Sequence, residues 1–172
     1  YRPESVKDVV VGILNNVELY GDKSVIDYTN KFENVKLTDL KINVDKISNS
    51  EKNIDKELKD AINIAFNNIY KFHKNQIYES KKIETTKGVV CWQEKRAIEN
   101  VGLYIPGGTA PLFSSVLMLA IPAMIAQCKN IVLCSPPNKN GELHPAILYY
   151  ATLFNIDTVI TVGGAQSTAA MT

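Results

Sequence analysis

The chain has 172 residues, 45% of them hydrophobic, and 19 Lys and Arg against 18 Asp and Glu give a formal charge of +1. That apolar content supports a real core in one ordinary domain or two small ones. The near-neutral balance excludes a strongly basic nucleic-acid footprint and a charged membrane-surface patch.

Taken in chain order, residues 1–80 read as mainly helical. Val6, Val10, Ile13, Leu14 and Val17 recur at helical spacing, and Gly21 stands as a C-terminal stop. A second helix starts near Asp22, expected as its N-cap, with Val25, Tyr28 and Phe32 on one face. Leu40–Val44 (LKINV) has the look of a short strand. A long helix from about Asp55 to Ile77 carries Leu58, Ile62, Ala65, Phe66, Ile69 and Phe72 as its stripe. His73 sits beside that stripe and reads as structural or surface, and the acidic residues before Lys82 read as solvated helix faces.

From Lys82 the pattern changes. Lys82–Thr86 and Val89–Glu94 suggest a hairpin around Lys87-Gly88, with Trp92 packed on a sheet face. After Asn100 strands and helices alternate: strands at 101–105, 130–134 and 158–162, helices at 111–127 and 145–154, and a last helix opening in GGAQSTAAMT. The apolar run from Pro111 to Cys128 fits a buried helix better than a membrane span, because glycine turns and strand-like runs flank it. The expected fold is α/β: a helical N-terminal region with a small hairpin over 1–99, then half of a Rossmann-like parallel sheet over 100–172, with helices on both faces.

In such a sheet, ligands gather at the carboxyl ends of the strands. Three loops lie there: IPGGTAP, SPPNKNGELHP and GGAQS. Glycines allow close backbone approach, and the helix that follows aims free N–H groups at the same place. Thr109 suits an N-cap, with Pro111 in the first turn; Tyr104 and Gln166 can put polar groups at the mouth. G-x-G-x-x-G and the phosphate loop are absent, so each glycine pair alone reads as structural punctuation more than as a cradle, and the two together make a small-molecule or dinucleotide site as well supported as plain architecture. His144-Pro145 resembles an N-cap and first helical residue. The two histidines, His73 and His144, have no carboxylate or cysteine at ligand spacing, and no nucleophile–base pair stands out. Cys91, Cys128 and Cys134 form no C-x-x-C pair and read as reduced thiols of a cytoplasmic protein. A start at Tyr1 and an end inside a helix suggest a piece of a longer chain.

VGLYIPGGTAPLFSSVLMLAIPAMIAQCKNIVLCSPP, followed in order by VGGAQSTAA, closely resembles the histidinol dehydrogenase family. YGDKSVIDYTNKFENV and the helix ending near FHKNQ fit as well, so the likeness covers essentially the whole chain. Departures are small: Thr109 stands where serine is common, and SPPNKNGELHP is longer than in many relatives. The resemblance implies an oxidation of L-histidinol to L-histidine through histidinal, with two NAD molecules, a bound zinc ion and an intertwined homodimer. It implies NAD contacts at Tyr104 and Gln166, while the zinc ligands and the catalytic Glu-His pair fall downstream of Thr172. This stretch alone is then expected to be inactive. Two alternatives stay open: another NAD(P)-dependent aldehyde or acyl-phosphate reductase, which needs a reactive cysteine, and a non-catalytic α/β binding module.

Overall fold

The computed structural model describes residues 3–77, 80–107 and 112–172. Two helices open the chain, α1 (Pro3–Tyr20) and α2 (Asp22–Glu33). Gly21, not Asp22, is the junction: its N–H closes α1 onto the Val17 carbonyl at 2.8 Å, and its own carbonyl accepts from Ser24 and Val25. Its φ of 55° explains why glycine takes the cap there, leaving Asp22 in the first turn of α2. The buried face of α1 is narrower than its sequence stripe: Ile13 and Val17 are buried, but Val6 and Leu14 are exposed. On α2, Val25 is buried, while Phe32 stays half exposed and stacks on Tyr28 at 5.6 Å.

The LKINV segment pairs only briefly. Lys41 bridges Ile160 antiparallel, with the Ile42 N–H on the Val159 carbonyl and the Thr161 N–H on the Leu40 carbonyl. Pairing stops because Asn43 caps the short helix α3 (Val44–Ser48), its side chain accepting from the Asp45 N–H at 2.7 Å. After a 3-10 turn at Ser50–Asn53, α4 (Lys56–Lys74) begins at Asp55, whose carboxylate accepts from the Leu58 N–H at 2.7 Å. Ile62 is buried, with Leu58, Ala65, Phe66 and Ile69 packed around the main core. Phe72 lies off that stripe and is exposed. His73 pairs locally, its Nδ1 lying 2.9 Å from the Gln76 side chain.

The hairpin is shorter than its sequence pattern, β1 (Ile83–Thr86) with β2 (Val89–Cys91), and it turns at Gly88 with φ of 85°. Trp92 is half exposed, with Lys82 Nζ 5.4 Å from its ring centroid.

The strand–helix alternation then follows the sequence: β3 (Asn100–Tyr104), α5 (Phe113–Ile125), β4 (Asn130–Ser135), α6 (Pro145–Leu153), β5 (Thr158–Thr161) and α7 (Gly164–Met171). β3, β4 and β5 form a parallel sheet in that order, with Leu103 opposite Leu133 and Leu133 opposite Val159. The two-residue period of the strands sends those three side chains into one core with α4, α5 and α6. Their neighbours Tyr104, Cys134 and Ile160 face the other side, where α1, α2 and α7 cover them. The N-terminal helices therefore supply cover to both faces of the sheet. Within α5, Val116, Leu117, Ala120 and Ile121 are buried, and no helix among the described residues is long and apolar enough to cross a membrane.

Candidate functional site

Three chain segments leave the carboxyl ends of the parallel strands, and one proline holds them together. Pro136, just past β4, lies against both Gly107 and Gly163. A Cβ on Gly163 would stand 2.7 Å from the Pro136 Cβ, and one on Gly107 would collide with the Pro136 Cγ. Here the glycines are needed for space rather than for φ. The sheet ladder continues into these loops, with Ile105 N–H on the Cys134 carbonyl at 2.8 Å and Val162 N–H on that of Ser135 at 3.0 Å.

Tyr104 and Gln166 meet at the head of α7. The Tyr104 hydroxyl is 3.4 Å from the Gly164 nitrogen, a long hydrogen bond donated by the backbone. Gly164 has φ of 65°, and the Gln166 Oε1 lies 2.7 Å from where a Cβ on it would be. That turn folds the Gln166 side chain inward, leaving it 1% exposed with neither Oε1 nor Nε2 hydrogen-bonded. An unpaired amide in such a place costs about 1–3 kcal/mol per group. α7 itself starts without a side-chain cap, so its first N–H groups face the same space.

Cys134 lies beside Tyr104 in the sheet, and burial pushes its thiol up to about 12 despite a hydrogen bond from Sγ to the Val162 carbonyl at 3.2 Å. It is a neutral packing residue at physiological pH, not a nucleophile.

The loop after β4 closes on itself. Asn138 Oδ1 accepts from Asn140 and Glu142 N–H groups, and the Asn138 N–H donates to the Glu142 carbonyl. His144 caps α6 as its sequence suggests, Nδ1 accepting from Ala146 N–H at 3.2 Å, and burial lowers its pKa. A lone-pair acceptor with a depressed pKa is a neutral capping imidazole. Thr109 and Pro111, expected to open α5, lie outside the described residues. Among the described residues no three His, Cys, Asp or Glu side chains come together as a metal site.

Two participants were not visible in the sequence. Pro136 looks like an ordinary turn former until the strands bring it between the glycines. Glu33 looks like a solvated helix end, yet its Oε1 is 3.0 Å from the Cβ position of Gly163. A cavity of about 600 Å³ does exist on the same face, but it lies at the amino ends of the strands, lined by Ile26, Gly102, Val132, Ile160 and Met171. Polar residues, among them Asp22, Asp39, Lys41 and Asn100, also line it, and neither Tyr104 nor Gln166 does.

The model of the family described as histidinol dehydrogenase matches residues 2–172. The chain belongs to the histidinol dehydrogenase family. It is 52% identical over 168 residues to the histidinol dehydrogenase of Bacteroides fragilis, covering 98% of this chain and 39% of that protein. The Campylobacter jejuni histidinol dehydrogenase is 44% identical over 169 residues, with 98% of this chain and 39% of that protein covered. The crystal structure of histidinol dehydrogenase from Elizabethkingia anophelis superposes with a TM-score of 0.94 at 46% identity, over 99% of this chain and 40% of that one. The chain therefore spans about two fifths of the length of these three histidinol dehydrogenases.

Proposed function

We propose that this chain is the part of an NAD- and zinc-dependent histidinol dehydrogenase that supplies one side of the NAD crevice. The parent enzyme oxidises L-histidinol to L-histidine through L-histidinal in the cytoplasm and works as a homodimer. NAD supplies the hydride acceptor, one molecule for each of the two oxidations.

The observation that carries the reading is the Gln166 amide, buried and unpaired in the first turn of α7, where the Gly164 N–H reaches the Tyr104 hydroxyl. A side chain that offers a donor and an acceptor and finds neither partner within the chain suits a ligand that brings both. In this role Tyr104 orients its hydroxyl and ring toward the cofactor, and Gln166 reads a polar edge of it. Gly107 and Gly163 let the backbone approach. In this reading the zinc ligands lie outside this chain, as the family resemblance implies. The same holds for the acid–base pair, so these 172 residues alone produce no NADH from histidinol, NAD and zinc.

The reading based on an aldehyde or acyl-phosphate reductase loses ground at Cys134, the cysteine nearest the crevice, because its thiol is buried and protonated. Titrating NAD into the full-length protein by calorimetry tests the proposal. Saturable binding that Tyr104→Ala and Gln166→Ala both weaken supports it; binding indifferent to both substitutions overturns it.

A further inference from the structure

We propose that Glu33 determines cofactor specificity, its carboxylate receiving the ribose hydroxyls of a dinucleotide and keeping a phosphate out of that position. This rests on the reading of the crevice as a dinucleotide site.

Three observations converge on it. First, the carboxylate is placed rather than dangling. Glu33 is the last residue of α2, and Asn34 closes the helix in the left-handed region, its N–H on the Asn30 carbonyl. The Asn30 side chain then clamps the following turn twice, donating to the Leu37 carbonyl at 3.0 Å and accepting from the Leu37 N–H at 2.7 Å. Half-buried, Glu33 thus rests with Oε1 against Gly163, beside Pro136.

Second, the carboxylate has no ion-pair or hydrogen-bond partner among the described residues. The ion pairs among the described residues are Lys59–Glu51, Arg96–Glu94 and Lys129–Glu99, and none involves Glu33. Among the described residues it makes no hydrogen bond either. Two charged oxygens with open lone pairs take hydroxyl donors and repel an anion.

Third, it fills a role the sheet leaves vacant. In dinucleotide-binding sheets the acid that reads the ribose follows the second strand. Here the second strand of the parallel sheet, β4, ends at Ser135 and is followed by Pro136, so no carboxylate stands there. Glu33 reaches the same place from a different element, touching the same glycine as Pro136. The buried, unpaired Gln166 amide in the first turn of α7 is independent evidence that a ligand completes this crevice.

The test uses the full-length enzyme, with NAD and NADP as the probes, in steady-state kinetics and calorimetry. Wild type should prefer NAD. Glu33→Gln should raise KM for NAD by about tenfold while leaving that for histidinol in place, as expected for one lost charge-assisted hydrogen bond. Glu33→Lys should shift the preference toward NADP, and Glu33→Asp should keep the preference for NAD. Thermal melts show that each variant is folded, and the Lys variant carries the test if the Gln variant is not. Unchanged KM and unchanged NAD-to-NADP preference in Glu33→Gln and Glu33→Lys would overturn the assignment. So would a wild type that binds NAD and NADP equally, with the cofactor reading itself intact. Failure of wild type to bind NAD at all would overturn both.

Discussion

The hydroxyl of Tyr104 accepts a hydrogen bond from the Gly164 N–H at 3.4 Å, although the two residues stand 60 positions apart. The contact is long enough to be exchanged for a better one, and it holds the ring at the head of α7. Tyr104→Ala in the full-length enzyme should weaken NAD binding by about tenfold or more while histidinol binding changes little. Tyr104→Phe, which keeps the ring, should fall between. Calorimetric titrations with each ligand separate these outcomes, and an NAD affinity untouched by both substitutions would return the tyrosine to architecture.

Gln166 offers the opposite balance, a residue that costs stability in the free protein. Gln166→Met keeps the volume but removes both unpaired groups, so the free protein should gain about 1–3 kcal/mol of stability. NAD binding should fall at the same time. Urea denaturation with and without NAD reads both effects; a destabilised variant would show that the amide has partners in solution.

The glycine–proline contacts predict coupled energetics. Gly163→Ala places a Cβ 2.7 Å from the Pro136 Cβ and should cost about 1–3 kcal/mol. Gly163 has an ordinary extended backbone, φ of −125°, so the cost is steric rather than conformational. Pro136→Gly, which removes that Cβ, should relieve much of it. A double-mutant cycle measures the coupling, and strict additivity would deny that the contact matters.

Alkaline pH should reveal the buried acids. Burial raises the Cys134 thiol from 9.0 to about 12, and burial together with Tyr149 raises the Tyr150 phenol from 10.0 to about 12. The unfolded chain therefore loses these protons first, and stability falls as pH rises through the window from 9.0 to about 12. Below that window both groups are protonated in either state and contribute no slope. Cys134→Ala should flatten the decline, as read from denaturation midpoints against pH. Thiol labelling of the native protein should proceed at exposed Cys91 and spare Cys134.

The sheet was legible because its strands are continuous apolar runs, such as NIVLC, that only a doubly covered parallel sheet buries. The helices were legible in existence and less so in orientation. Val6, Leu14 and Phe72 fit the sequence stripes, but tertiary packing left them exposed. LKINV was half legible, since its apolar alternation favours pairing but Asn43 caps a helix before a ladder can grow. Tyr104 and Gln166 could be named from their motifs, whereas their meeting at Gly164 depends on α7 folding back across the sheet. Glu33 left no local trace: it reads as the charged end of a helix, and only the docking of α2 against α7 gives its carboxylate a destination.

Pro136 also has a mechanical consequence. Because its ring fills the room beside both Gly107 and Gly163, the turns after β3 and β5 share one bearing. A molecule that seats against either turn must displace or load that ring. The neighbouring turn, and the Glu33 carboxylate resting on it, then registers the same push.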